Sequence, residues 1–130
     1  MLREEHMDLF GVENAGTYTF DQSIINAITG NIIETDPTIP LWNAKIYCTE
    51  EGVGGTSITL VLSASNELSG GALDNAETVM SKTILLADLV KGELVDIVLP
   101  KTFRFFQFTT TVSGTFTAGK IGGICEPEFN

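Results

Sequence analysis

Between Phe103 and Cys125 the chain runs Phe-Arg-Phe-Phe-Gln-Phe-Thr-Thr-Thr-Val-Ser-Gly-Thr-Phe-Thr-Ala-Gly-Lys-Ile-Gly-Gly-Ile-Cys, and no other stretch constrains the fold as tightly. Phe103, Phe105, Phe106 and Phe108 are half of the eight phenylalanines, and three threonines and Val112 follow them directly. Aromatic and β-branched residues favour a pleated, half-buried surface over a helix. Ser113-Gly114 interrupts the run, and Thr115-Phe-Thr-Ala resumes the alternation of a strand. Two strands joined by so short a link must lie antiparallel. The expectation is a central hairpin with its aromatic side against the core.

The rest of the chain repeats this grammar. Asn43 to Glu50 alternates Ala44, Ile46 and Cys48 against Lys45, Tyr47 and Thr49. Ser57 to Ser65 sets Ile58, Leu60, Leu62 and Ala64 against mostly small polar partners. Glu51-Gly-Val-Gly-Gly-Thr lies between them and reads as the turn of a second hairpin. Glu77 to Leu86 and Glu93 to Leu99 read as further strands, the latter with Val95, Ile97 and Leu99 on one face. Ala87 to Gly92 reads as a single helical turn closed by glycine, and Asn66 to Asn75 as a loop. Near the start, Tyr18, Phe20 and Gln22 alternate with Thr17, Thr19 and Asp21. Ser23 to Gly30 fits either a short helix capped by Ser23 or a strand, and Asn31 to Thr35 is a short extended piece. Pro37 and Pro40 impose an irregular connection, because proline lacks the amide that a sheet ladder needs. The tail, Glu126 to Asn130, reads as a polar exit.

About eight antiparallel strands at intervals of roughly ten residues, with almost no helix, predict an all-β jelly-roll β-sandwich. An immunoglobulin-type sandwich is the alternative, but there a buried tryptophan packs on a disulfide between the sheets. Trp42 stands at a strand entry, and Cys48 and Cys125 span most of the chain. One domain is expected over residues 15–130, preceded by an N-terminal arm over residues 1–14, since chains divide into domains only well above ~200 residues.

Seven basic against seventeen acidic residues give a net charge of −10, which makes nucleic acid and anionic membrane poor partners. The same charge suits solubility or docking on a basic surface. No apolar run reaches the ~18 residues that span a bilayer, and the acidic start does not read as a signal peptide, so a cytoplasmic origin is expected. A small secreted scaffold would carry more than two cysteines, so Cys48 and Cys125 are expected as buried thiols.

No pattern in the chain points to catalysis. His6, the single histidine, lies in the arm, whereas a jelly-roll metal site draws on several imidazoles and nucleophile systems need a positioned base. The acidic pairs Glu4-Glu5, Glu50-Glu51 and Glu126/Glu128 fall at termini and turns, where solvated faces are the usual outcome. Gly52, Gly54 and Gly55, like Gly119, Gly122 and Gly123, lack the spacing and the helix of a phosphate loop and read as turn and bulge positions. Trp42 with Tyr47 offers either a sugar-stacking platform or packing against the core or an interface.

Two segments carry a resemblance. Asp8-Leu9-Phe10 with the Thr/Ser-rich strand after it, and Thr110-Thr-Val112, Gly114 and Phe116-Thr-Ala-Gly-Lys120 near the end, resemble the jelly-roll capsid cement proteins of tailed bacteriophages. Pro37 to Pro40 and the Cys125-Glu-Pro-Glu-Phe tail depart from that pattern. The resemblance implies a homo-oligomer, a dimer or a trimer, that sits on the outside of an icosahedral head and clamps neighbouring subunits of the major capsid protein. It implies no cofactor, no metal and no catalytic residues. Leu9, Phe10, Trp42, Phe116 and Lys120 are the candidate intersubunit contacts; for Leu9 and Phe10 the alternative, and the first expectation, is that they anchor the arm on the core of their own chain. A carbohydrate- or receptor-binding β-sandwich of a virion is the competing expectation.

Overall fold

The computed structural model describes residues 7–36, 38–39 and 41–128. Its strands are β1 (Met7–Asp8), β2 (Val12–Asn14), β3 (Thr17–Thr19), β4 (Gln22–Ser23), β5 (Ile33–Glu34), β6 (Leu41–Ser65), β7 (Glu67–Ser69), β8 (Ala72–Asp74), β9 (Glu77–Leu85), β10 (Gly92–Val98) and β11 (Phe105–Glu128). Among the described residues a single 3-10 turn, Leu86–Asp88, interrupts the strands. The protein is all-β, its strand pairs are antiparallel, and two strands of 25 and 24 residues dominate it.

Those two strands correct the expectation of two hairpins. β6 and β11 pair with each other from Phe105↔Ser65 to Glu128↔Leu41, so neither Ser113-Gly114 nor Glu51 to Thr56 reverses the chain. The glycines stand opposite one another in the ladder, Gly114 against Gly55, and the register slips between Ser113 and Gly114 and again as far as Ile121. Gly114 (φ +84°) and Gly119 (φ +130°) occupy backbone conformations that other residues rarely adopt, as bulged positions require. Two strands that bulge at the same level bend together. Each glycine group, read alone, looks like a turn; paired, they make a shared corner. The tail is likewise strand rather than exit, because Cys125 to Glu128 pair with Ala44 to Leu41.

The bend folds the sheet over on itself. On a straight strand Phe108 and Gly123 would stand about 50 Å apart at ~3.4 Å per residue. Instead, three short links join them. The Leu9 amide donates to the Gly123 carbonyl (2.9 Å), the Asn31 amide to the Leu9 carbonyl (2.8 Å) and the Gly30 amide to the Phe108 carbonyl (2.8 Å). The result is a sandwich of two half-sheets continuous through the corner. The first layer holds β10, the first part of β6, the last part of β11, and β1 and β4 at the far edge. The second holds β9, the last part of β6, the first part of β11, and β5.

One core fills the space between the layers. Trp42, Ala44, Ile46, Val95, Ile121 and Cys125 face in from the first layer, and Ile58, Leu60, Leu62, Ile84, Phe106 and Phe108 from the second. Phe10 bridges them, its ring 6.3 Å from that of Phe108. Burying each such side chain contributes ~1.5–3 kcal/mol. Phe116 fills the corner: a Cβ on Gly55 would lie 2.2 Å from its ring, so only glycine fits there. The 3-10 turn seals the same corner, with Leu89 wholly buried and its carbonyl accepting from the Gly52 amide (2.8 Å). The expected helical turn at 87–92 is thus placed at Leu86–Asp88, and Gly92 already belongs to β10. Ser23 to Gly30 forms neither a helix nor a long strand, since only Ser23 at its start is paired in a strand. Two small hairpins, β2–β3 and β7–β8, project from the body; the second replaces the loop expected over Asn66 to Asn75.

Candidate interaction surfaces

The faces turned away from the core differ between the layers. On the first layer the outward positions are Asn43, Lys45 and Tyr47 of β6, Ile124 and Glu126 of β11, Glu93, Asp96 and Val98 of β10, and Asp8 of β1. Two polar pairs on this layer serve the protein itself. Asn43 is buried and donates its Nδ2 to Asp96 Oδ1, and Thr49 donates its hydroxyl to Asp21 Oδ2 (2.6 Å). The Phe20 ring lies on Gly122, whose cross-strand partner is Tyr47.

The outward positions of the second layer are Thr78, Ser81, Thr83 and Leu85 of β9, Ser57, Thr59, Val61 and Ser63 of β6, and Gln107, Thr109, Thr111 and Ser113 of β11. None of them is charged. They align in cross-strand rows, such as Thr83–Thr59–Thr111 and Ser81–Val61–Thr109, and the Thr59 and Thr83 hydroxyls stand 3.1 Å apart. In a chain of net charge −10, this is a neutral, hydroxyl-rich surface. At one end it is bounded by the Arg104–Glu34 ion pair, with the guanidinium 5.4 Å from the Phe105 ring centre.

The expected contact residues lie elsewhere. Leu9, Phe10, Trp42 and Phe116 are buried in the core of their own chain, which leaves them almost no surface to offer a neighbour. For Leu9 and Phe10 the cause is the backbone link from Leu9 to Gly123 and Asn31, which draws the arm between the layers. Lys120 is half-buried on β11, opposite Ser23 and Glu50. Trp42 and Tyr47 do not form a platform, because the first faces the core and the second faces outward across the same sheet. The Trp42 indole donates to the Asp36 carbonyl (3.3 Å) above a cavity of about 70 Å³, too small for a sugar ring.

Cys48 and Cys125 are free and buried, as expected. They face the same side of the first layer, Cys48 opposite Ile121 and Cys125 opposite Ala44. Burial pushes the Cys125 thiol up to about 12, with the Glu126 charge adding to the effect, and burial raises Cys48 as well. Neither is a nucleophile at neutral pH. Glu50 serves the fold, since its carboxylate accepts from the Gly119 amide (3.0 Å) and holds the bulge of β11. His6, Glu4, Glu5, Pro37 and Pro40 lie outside the described residues. Among the described residues no three His, Cys, Asp or Glu side chains group so as to hold a metal ion.

Two clefts remain. One of about 340 Å³ is lined by Val12, Gln22, Asn26 and Thr29 beside the β2–β3 hairpin, with no titratable side chain on its wall. The other, about 270 Å³, opens where β9 and β10 approach each other and is lined by Lys82, Asp88 and Glu93. Lys82 Nζ donates to the Leu94 carbonyl (2.9 Å) across that gap. Compared with known proteins, the chain matches no family profile and no curated sequence.

Proposed function

We propose that this protein is a structural component of a tailed-phage head, a cement protein that associates with itself on the outside of the capsid and ties major capsid subunits together. In this reading the sandwich is a jelly roll, and the protein acts without cofactor or catalysis, made in the host cytoplasm and ending on the virion surface. The observation that carries the proposal is the layout of the surface. The chain presents two contrasting sheet faces, one of them neutral and hydroxyl-rich, and, among the described residues, two long open strand edges, β9 and β10. Extended edges accept strands from neighbours, and weak contacts repeated over a lattice add through effective concentration. The resemblance of the Asp8-Leu9-Phe10 and Phe116-Thr-Ala-Gly-Lys120 segments to cement proteins supports the same reading.

The test combines mass and binding. Light scattering on the purified protein is expected to give a defined oligomer, and phage heads lacking the protein are expected to bind it and to survive higher temperature once decorated. A protein that binds no head at micromolar concentration, and instead retains a specific glycan on an array, would replace this reading with receptor or carbohydrate recognition.

A further inference from the structure

We infer that two copies of this chain pair antiparallel through β9, each continuing the other's second layer, so that the two hydroxyl-rich faces join into one surface. The inference rests on the self-association contained in the proposed function and names the edge responsible.

The edges differ in what they can accept. β1, β4 and β5 are two residues long and provide little ladder. β10 is longer, but it carries Glu93 and Asp96 and is bulged between Glu93 and Val95, so two copies meeting there would bring four carboxylates together along an irregular ladder. β9 runs for nine residues and, among the described residues, pairs with β6 alone. Its charges are one Glu77 and one Lys82. An exposed edge of this length is normally blunted by a lysine or a proline. Here Lys82 points toward the core side, opposite Leu60, and its ammonium is engaged by the Leu94 carbonyl, which leaves the edge itself open.

Charge selects the partner. Each copy carries −10, so the approach of two copies is opposed over most of the surface and least opposed at β9 and the uncharged face beside it. A two-fold pair is isologous, with the same residues on both sides. Directly opposed residues in an antiparallel pair face the same side of the sheet. Placing Lys82 on the two-fold axis would set two ammonium groups against each other. Placing Ser81 or Thr83 there avoids that clash and covers Leu85, which is 56% exposed in the single chain.

The experiment uses the full chain. Ser81→Cys and Thr83→Cys are made singly, with Thr111→Cys, exposed on the same face but away from the edge, as control; Cys48 and Cys125 are buried and contribute no background. Under mild oxidation one of the two edge variants is expected to form a disulfide-linked dimer within minutes, and the control none. The double variant Ser81→Glu/Thr83→Glu is expected to raise the dimer dissociation constant at least tenfold, with an unchanged circular-dichroism melt showing that it folds. If wild-type protein is an oligomer that neither cross-links at the edge nor responds to the double variant, β9 pairing is overturned while self-association stands. A wild-type monomer at every concentration overturns both.

Discussion

The two layers share a core and two strands, yet they treat their outer faces in opposite ways. The first layer engages outward polar groups within its own chain: Asn43 with Asp96 and Thr49 with Asp21. The second leaves rows of serine and threonine pointing outward, with the Thr59–Thr83 contact as a cross-strand hydroxyl pair. A polar group engaged within its own chain contributes to stability; one left facing solvent contributes little and stays available to a partner. One sheet can therefore treat its two outer faces differently, with self-support on one layer and open hydroxyl rows on the other.

The largest effect is expected where the layers cannot be told apart. Phe116→Ala removes the ring that fills the corner common to β6 and β11 and should cost about 3–5 kcal/mol by chemical denaturation, in a single transition. Two separate transitions would break the comparison by showing that the layers fold as independent units. Through its thiols, alkaline pH should act on the first layer, because both Cys48 and Cys125 lie in it. The native Cys125 thiol titrates near 12, against an ordinary value of 9.0. Above pH 9 the unfolded chain therefore loses this proton first, and the folded chain holds more protons than the unfolded one. The contribution is complete below pH 9 and falls as pH rises toward 12, by about 4 kcal/mol over the window. Stability curves of the wild type and Cys125→Ala should accordingly converge through that range; parallel curves would remove Cys125 as the cause.

Paired substitutions sharpen the contrast between the faces. Asn43→Ala breaks a buried bond to a carboxylate and should cost about 1–3 kcal/mol. Thr59→Ala on the other face should cost less than ~0.5 kcal/mol in the isolated protein. Equal costs would mean that the hydroxyl face is structural after all. Smallest of all, Arg104→Ala at the exposed pair with Glu34 should shift stability by no more than ~0.5 kcal/mol, and less still in high salt.

Local alternation made much of this legible in the sequence. Val95, Ile97 and Leu99 declare the inner side of β10, and Ile58, Leu60, Leu62 and Ala64 that of β6, because a period of two needs no knowledge of the partner strand. The free, buried thiols followed from cysteine number. The corner was not legible in the same way, since a glycine group is a turn if its arms pair with each other and a bulge if both keep a common partner. A signal was present nonetheless: the glycines at 52–55 and 114–119 divide two stretches into arms of matching length. The burial of Leu9, Phe10, Trp42 and Phe116 within their own chain has a related cause. Leu9, Phe10 and Phe116 are large and apolar, which suits a core as well as an interface; the links from Leu9 to Gly123 and Asn31 decide it for the arm, and the fit of Phe116 against Gly55 decides it at the corner. The neutral face was visible as small polar residues alternating with the core positions, but its extent depends on which three strands lie side by side.

The position of β11 in the chain bears on how the molecule is made. β1, β4 and β5 all pair with β11, and β6 pairs with it along its whole length. β1, β4 and β5 therefore have no sheet to join until β11 has been made. Pairings so distant along the chain are slow to form, and growing chains generally fold from the N-terminal side as they emerge. Here that route is closed to β1, β4 and β5, so closure of the body waits for β11, and a chain lacking β11 loses the support on which both layers depend.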